Sequence, residues 1–201
     1  YDEIYASTSN DYVKAQMDLL SGRALIALNR PEEGYGRWRH AVDNFPLAYD
    51  SYSALLGLVE ANQPVDEFNR GLVDYYAQKY DVALRAFQRY ATENPNHDGT
   101  VLHYLALTLR EMGDYKTAID TWDTLINKYP GNRYWASAWD EKAYTQWGYL
   151  DDYNSAAKGL EKFASETTGS PFAATYLFDA ARIYERSGSL EKAAALWESL
   201  P

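Results

Sequence analysis

Apolar residues recur every three or four positions along most of the chain, which is the spacing of one face of an α-helix. Leu102, Leu105 and Leu109 form one such stripe, and Ala118 and Trp122 begin another. Strands would show sustained alternation of apolar and polar residues between hairpin turns, and we find none. The pattern therefore predicts an all-α protein. The predicted helices are eleven, at 10–28, 31–44, 47–61, 65–78, 81–93, 98–112, 115–128, 133–148, 151–166, 171–187 and 190–200.

The helical pattern repeats along the chain. Ala83 and Ala118 lie 35 positions apart, as do Pro95 and Pro130, and each Ala follows a Tyr by three residues and precedes an aromatic residue by four. This period resembles the 34 residues of the tetratricopeptide repeat, in which two amphipathic helices and their turn form one unit. Looser copies of the same frame run through Gly22–Pro46, Asp152–Phe163 and Gly188–Trp197. Five copies are therefore predicted.

The turns and the remaining helix complete the predicted architecture. Gly113 can adopt the left-handed conformation that ends a helix, and Asp114 can cap the next helix with its carboxylate. The helix from Pro46 to Asn62 does not match the repeat and is predicted to be an inserted packing helix. The sequence predicts a superhelical solenoid of tetratricopeptide-like helix-turn-helix repeats in one domain, 1–201. Because the sequence stops at Pro201, just after the second helix of a copy and with no polar capping helix beyond it, we expect a fragment of a longer chain.

Composition excludes several classes of function. The chain has 29 acidic and 19 basic residues and a formal charge of -10, which argues against a nucleic-acid partner because phosphate contacts need clustered Lys and Arg. It has no Cys, so disulfides, thiol nucleophiles and Cys-based zinc sites are excluded. No apolar run approaches the 18 residues of a membrane span. We therefore predict neither a nucleic-acid partner nor a membrane span.

The sequence carries no recognisable catalytic or cofactor motif. Phosphate loops, HExxH, GxSxG and calcium-loop spacings are missing, and no cofactor is predicted. His97 and His103 could share a metal only with help from a carboxylate such as Asp98, and the favoured interpretation is that they are separate, solvated histidines. The acidic pairs Glu32–Glu33 and Asp151–Asp152 could act as acid and base on a sugar, but their place at helix starts gives them a structural role in the helix dipole.

Aromatic residues are the unusual feature of the composition, at 15% with 19 Tyr. Many hold repeat-framework positions and are explained by packing. Others fall on the first helix of a pair, which lines the concave surface of a tetratricopeptide array. The candidate groove residues are Phe68, Leu72, Tyr75, Tyr76, His103, Leu107, Arg110, Glu141, Phe178 and Arg182, with Thr145 and Arg186 at matching positions. Aromatic faces with charged side chains between them can bind an extended peptide or stack on sugar rings. In the alternative interpretation, half of these rings only bridge neighbouring repeats.

The densest aromatic cluster lies between Tyr134 and Trp147, and it is the best local candidate for a contact surface. Two further segments, Val65–Tyr76 and Ala180–Ala193 before Trp197, resemble the helical N-terminal region of bacterial soluble lytic murein transglycosylases. The likeness spans most of the chain.

In that family a separate lysozyme-like domain cleaves peptidoglycan with a single Glu, which lies in a Glu-Ser pair flanked by apolar and Gly-rich motifs. Here Glu198-Ser199 provides the pair without the flanking motifs, so no catalytic residue is assigned. The resemblance implies an exported, periplasmic or cell-envelope protein whose helical region shapes access to glycan or docks partners.

The function predicted from these observations is a non-catalytic scaffold that recognises a protein segment or peptidoglycan glycan through its concave groove, within a lytic-transglycosylase-like protein. A first alternative is a free-standing tetratricopeptide adaptor for protein partners in the cytoplasm or periplasm. A second alternative, from the enzyme class, is that the chain itself cleaves glycans. The sequence leaves the oligomeric state open.

Overall fold

The computed structural model describes residues 1–200, apart from the side chain of residue 171, and these residues form helices and loops without strands. The prediction of an all-α fold is confirmed. Twelve helices occur in this range: α1 (Asp2–Ser7), α2 (Asp11–Ala27), α3 (Pro31–Asn44), α4 (Tyr49–Glu60), α5 (Glu67–Tyr76), α6 (Tyr80–Glu93), α7 (Thr100–Glu111), α8 (Tyr115–Lys128), α9 (Trp135–Tyr149), α10 (Tyr153–Glu166), α11 (Pro171–Arg186) and α12 (Leu190–Ser199). Eleven correspond to the predicted helices. The additional one, α1, has six residues and is too short to show a helical period.

The helices divide into two compact units. The first unit, Tyr1–Pro95, contains α1 to α6, and the second begins at Asn96 and contains α7 to α12. In the first unit α2 packs on α3, and α5 packs on α6. In the second unit each helix from α7 to α12 packs on the next one in the chain. Both units are thus built from antiparallel helix pairs.

One turn recurs between the two helices of a pair. The second residue after the helix has a positive φ, and the N–H of the residue that follows it bonds back to a carbonyl in the last turn of the helix, which is the Schellman arrangement. In α7 this bond runs from the N–H of Asp114 to the carbonyl of Leu109 at 2.9 Å, and in α11 from Ser189 to Tyr184 at 2.9 Å. The residues with positive φ in these turns and in the turn after α4 are Asn29, Asn62, Gln78, Gly113, Asp151 and Gly188.

Gln78 holds one of these turns without being glycine, so Gln78→Gly should stabilise the protein. A left-handed conformation (φ of 59° at Gln78) costs an L-residue about 1–2 kcal/mol. Glycine avoids this cost, but its larger loss of backbone entropy on folding offsets about 0.5–1 kcal/mol of the gain. We expect a net gain of about 0.5–1 kcal/mol in the free energy of unfolding, measured by urea denaturation. The matched control is Gly113→Ala, which should lose a similar amount, and equal stability of all three proteins would contradict the argument.

Carboxylates at helix starts act as caps. The Asp114 carboxylate accepts a hydrogen bond from the N–H of Thr117 at 3.3 Å, as the sequence predicts, and Asp152 accepts one from Ser155 at 3.1 Å. Asp151 beside it forms the left-handed turn residue. The pair Asp151–Asp152 therefore ends one helix and begins the next.

Small residues allow the helices of each pair to approach closely. The predicted contact positions Ala83, Ala118, Ala156 and Ala193 are all buried, with exposed fractions of 0–1%. In the first pair glycine serves the same purpose, because a Cβ on Gly34 would lie 2.7 Å from the carbonyl oxygen of Gly22. The repeat framework read from the sequence is thus the packing framework of both units.

The inserted helix α4 belongs to the core of the first unit. Ala54, Leu55 and Leu58 are buried with Val42 of α3, and α4 packs against both α2 and α3. The Ser51 hydroxyl donates a buried hydrogen bond of 3.0 Å to the carbonyl of Ala41. This helix therefore closes the apolar face that α2 and α3 leave open.

Candidate functional site

A groove of about 720 Å³ lies in the second unit, with walls from α9 and α11 and one residue from α10. Its lining residues are Asp140, Glu141, Ala143, Tyr144, Trp147, Leu160, Asp179, Arg182, Ile183, Glu185 and Arg186. Glu141 and Arg182 belong to the predicted groove residues, and Tyr144 and Trp147 belong to the predicted aromatic cluster. The structure therefore brings part of the predicted surface to one concave site.

Two contacts show that α9 and α11 run side by side in the same direction. The Tyr176 hydroxyl donates a hydrogen bond of 3.0 Å to the carbonyl of Ala136, near the start of both helices. The Arg186 guanidinium lies 4.9 Å from the centre of the Trp147 ring, near the end of both helices. Residues about 39–40 positions apart are therefore neighbours across the groove.

The groove face of α9 differs by one residue from the face that regular repeat spacing predicts. The N–H of Asp152 bonds to the carbonyl of Gln146, six residues earlier, whereas the equivalent bond after α7 spans five residues. This additional residue turns Asp140, Tyr144 and Trp147 into the groove. Thr145, placed inward by regular spacing, is fully buried instead.

Arg110 connects α7 to the groove wall. Its guanidinium forms an ion pair of 2.5 Å with Glu141 and lies 5.4 Å from the ring centres of both Trp122 and Tyr144. The charge of Arg110 is thus paired with that of Glu141. We infer that Arg110 positions Glu141 and Tyr144 at the groove.

Two of the predicted groove residues on α7 lie in the interior. His103 and Leu107 are buried, and the His103 ring stacks on Tyr134 with ring centres 4.1 Å apart. Burial, and then the charges of Arg110 and Arg133, lower the pKa of His103 to about 4, so its ring is neutral at pH 7. For these two residues the structure matches the alternative interpretation, in which the side chains bridge neighbouring helices.

The other predicted residues lie outside the groove lining. Phe178 is exposed and packs edge-to-face on Trp197 with ring centres 4.9 Å apart. Four of the ten lie on α5 in the first unit. There the ring centres of Phe68 and Tyr90 lie 5.2 Å apart, and those of Tyr75 and Tyr76 lie 5.3 Å apart. Leu72 is half-buried beside them on α5. Whether the α5 surface binds a ligand stays a prediction.

Two aspartates of the groove, Asp140 and Asp179, have raised pKa values. Enclosure by the concave wall raises the pKa of Asp140, and the charges of Glu141 and Asp179 raise it further. Enclosure also raises the pKa of Asp179, while Arg182 lowers it. The sequence did not single out Asp140 or Asp179. Repeat spacing would place Asp140 in the groove only if the count included the additional residue in the turn after α9.

The other two histidines, His40 and His97, contact neighbouring side chains. His40 bonds through Nδ1 to the buried Asp18 at 2.7 Å, and His97 stacks on Tyr129. Among residues 1–200 no three His, Asp or Glu side chains are grouped closely enough to hold a metal ion. In the same range no helix is both long and apolar enough to cross a membrane.

Comparison with known proteins supports the repeat assignment. Residues 100–132 and residues 148–200 each match a family model described as tetratricopeptide repeat. These stretches form tetratricopeptide-like repeats. The first contains the pair α7–α8, and the second covers α10 to α12 with the turn before them. No curated protein matches this chain in sequence.

Solved structures share the fold, and two of them are described as having tetratricopeptide-like repeats. The putative kinesin light chain repeats of Podosopora anserina have a TM-score of 0.55 at 11% identity, covering 95% of this chain and 94% of that chain. Their Q17M variant has a TM-score of 0.54 at 11% identity, with coverages of 96% and 95%. The MamA RS-1 ArsTM double mutant has a TM-score of 0.53 at 14% identity, with coverages of 92% and 91%. At these identities the likeness shows the fold alone.

Proposed function

We propose that this chain is a non-catalytic binding module that holds a segment of a partner protein in the groove between α9 and α11. The observation that carries the proposal is the groove itself, a concavity of about 720 Å³ lined by aromatic rings and by charged side chains of both signs. Binding sites are commonly concave and partly apolar, with a few polar groups that orient the ligand.

The groove is preorganised for binding. Arg110 holds Glu141 and Tyr144, and the bond from Tyr176 to Ala136 joins α9 to α11. A ligand that enters such a site does not have to order its walls, so more of the contact energy contributes to affinity. Trp147 has the properties of an anchor, because large aromatic side chains dominate the energetics of protein interfaces.

Replacing Trp147 by alanine tests this function. Peptides selected from a random twelve-residue phage-display library against the wild-type chain should bind Trp147→Ala at least tenfold more weakly, because the variant lacks the aromatic wall and the support for Arg186. Affinity is measured by fluorescence anisotropy with synthetic peptides. The matched control is Phe172→Ala, which removes an exposed ring on α11 outside the groove and should leave affinity unchanged. Selection of no peptide, or equal binding by both variants, would contradict a peptide-binding groove.

The resemblance to soluble lytic murein transglycosylases provides the second ligand class, peptidoglycan glycan, together with a place in the cell envelope. Tyr144 and Trp147 favour it, since aromatic rings in a groove stack on sugar faces. Co-sedimentation of the chain with purified peptidoglycan, compared between wild type and Trp147→Ala, tests glycan binding. Binding of selected peptides without sedimentation would match the adaptor alternative. Release of anhydro-muropeptides by the purified chain would overturn the non-catalytic assignment.

A further inference from the structure

The shortest helix of the first unit, α1, lies on a face formed by α2 and α3. The Arg37 guanidinium on α3 donates a hydrogen bond of 2.5 Å to the Asp2 carboxylate. The Tyr5 ring packs on a small buried cluster, and the Nζ of Lys14 on α2 lies 5.8 Å from the centre of that ring. The cluster consists of Ala15, Phe45 and Ala48. This α2–α3 face thus offers two cationic side chains beside an apolar patch, and α1 meets it with an acidic residue and an aromatic residue.

The face is fixed, whereas α1 is held weakly. None of the residues 2–7 is buried, and the Asp2 side chain is 76% exposed, so its ion pair contributes little to stability. A helix of six residues is also too short to be stable by itself. Arg37, in contrast, is anchored from below by a hydrogen bond of 3.4 Å to the buried Asp18. The α2–α3 face therefore keeps its shape when α1 leaves it.

The face extends beyond the surface that α1 covers. A cavity of about 590 Å³ lies beside Asp2 and Arg37 and continues along α2 and α3. Its apolar lining residues are Ala24, Leu25 and Leu28. The lining of α2 runs from Ser21 to Leu28, which at a rise of 1.5 Å per helical residue is about 10 Å, or two helical turns. The α2–α3 face therefore has room for a helix about two turns longer than α1.

We propose that the α2–α3 face binds an amphipathic helix of a partner protein, and that α1 is an internal occupant which this helix displaces. The partner helix carries an Asp or Glu followed three residues later by an aromatic residue, as Asp2 and Tyr5 do, because residues three apart lie on one face of a helix. The acidic side chain binds Arg37, and the aromatic ring packs on the cluster around Phe45. Apolar residues in the two turns before the acidic residue contact Leu28 and its neighbours in the cavity. The face belongs to the first unit and the groove to the second, so this inference does not depend on the proposed function.

Selection from the random twelve-residue library on the double variant Asp2→Ala/Tyr5→Ala, in which α1 lacks both contacts, tests this inference. Peptides whose binding is weakened by Trp147→Ala are assigned to the groove and set aside. The others should be enriched in an acidic residue three positions before an aromatic one. Such a peptide should bind the double variant at least threefold more tightly than the wild type, because the wild-type α1 competes for the face as a linked segment. The control Glu3→Ala/Ser7→Ala changes two exposed residues of α1 and should bind the peptide as the wild type does.

Changes within a selected peptide test the chemistry that the face recognises. Replacing its acidic or its aromatic residue by Ala should weaken binding to Asp2→Ala/Tyr5→Ala at least tenfold. Inserting one residue between the two should do the same, because it turns the aromatic residue by about 100° around the helix. Adding Arg37→Gln to the double variant should remove the preference for the acidic residue and keep that for the aromatic one. Circular dichroism checks that this variant folds, and the peptide changes test the proposal without it.

The displacement of α1 has a measurement of its own. Because the chain has no Cys, nitroxide labels attach only at Ser7→Cys on α1 and Gln16→Cys on α2, both at exposed positions. Double electron–electron resonance should give a narrow distribution of label distances in the free protein and a broad one with saturating peptide. An unchanged distribution at saturation, or selected peptides without the spaced pair, would overturn the proposal. A dimer in light scattering that dissociates in Asp2→Ala/Tyr5→Ala would also overturn it, since a second copy would then be the occupant.

Discussion

Replacing Trp122 by alanine is expected to lower the free energy of unfolding by about 3–5 kcal/mol, the usual cost of removing a buried aromatic side chain from a core. The Trp122 side chain is fully buried on α8, four residues after the small contact residue Ala118. Its ring also supports the Arg110 guanidinium at 5.4 Å. The loss should appear in urea denaturation followed by far-UV circular dichroism.

The control for this prediction is provided by the repeat itself. Trp197 occupies the same repeat position, four residues after Ala193, but it is only half-buried and lies on the last helix. Because less apolar surface returns to water, Trp197→Ala should cost about 1–2 kcal/mol. Equal losses for the two variants would show that burial does not determine the cost. Trp122→Phe should recover part of the loss by refilling part of the cavity.

The sequence predicts the helices of this fold well because the residues that set the apolar period of a helix are also the residues that pack against its partner helix. A residue such as Ala118 is small because two helices meet there, so the same pattern that predicts a helix also predicts its partner. The left-handed turns at Gln78 and Asp151 were not predicted, since glycine is the usual signal for them. There the hydrogen bonds that close each turn and the packing of the pair offset an unfavourable backbone conformation.

The site is less predictable than the fold because its residues depend on register. Counting back from Ala156 with regular spacing places Thr145 in the groove, whereas the longer turn after α9 places Tyr144 and Asp140 there. One additional residue rotates the preceding helix by about 100° relative to its partner. His103 shows a second limit. Its position on the inner helix is as predicted, but stacking on Tyr134 buries it. Such contacts depend on side chains about thirty residues away in sequence.

A buried carboxyl in the first unit should give the stability of the protein an unusual pH dependence. Asp74 on α5 is 3% exposed, and its nearest cation, Arg70, lies 3.7 Å away, beyond hydrogen-bonding distance. Neither the Asp74 Oδ2 nor the Arg70 Nε has a hydrogen-bond partner among the described residues. Burial raises the pKa of Asp74 to about 6; Arg70 opposes this rise, and the charges of Asp81 and Glu67 add to it.

The sign of the effect follows from proton binding. The pKa of Asp74 is 3.8 in the unfolded chain and about 6 in the folded one, so between these values the folded state holds more protons. The contribution of Asp74 to stability is therefore greatest below pH 4 and is lost as pH rises through 6. A shift of this size corresponds to about 3 kcal/mol at full burial. We expect Asp74→Asn to resemble wild type at pH 4 and to be more stable by about 1–3 kcal/mol at pH 7.5, in urea denaturation at both values.

The comparison between wild type and Asp74→Asn isolates this group from the rest of the chain. All other carboxyls titrate in both proteins, so the difference between the two unfolding free energies reports Asp74 and the groups coupled to it. Asp120→Asn, at an exposed position on α8, should show a small difference that does not change with pH. A destabilised Asp74→Asn at pH 7.5 would mean that the Arg70 ion pair outweighs the cost of burying the charge. The raised pKa would then be wrong in sign, because a carboxylate that is net stabilised by its partner titrates below its usual value.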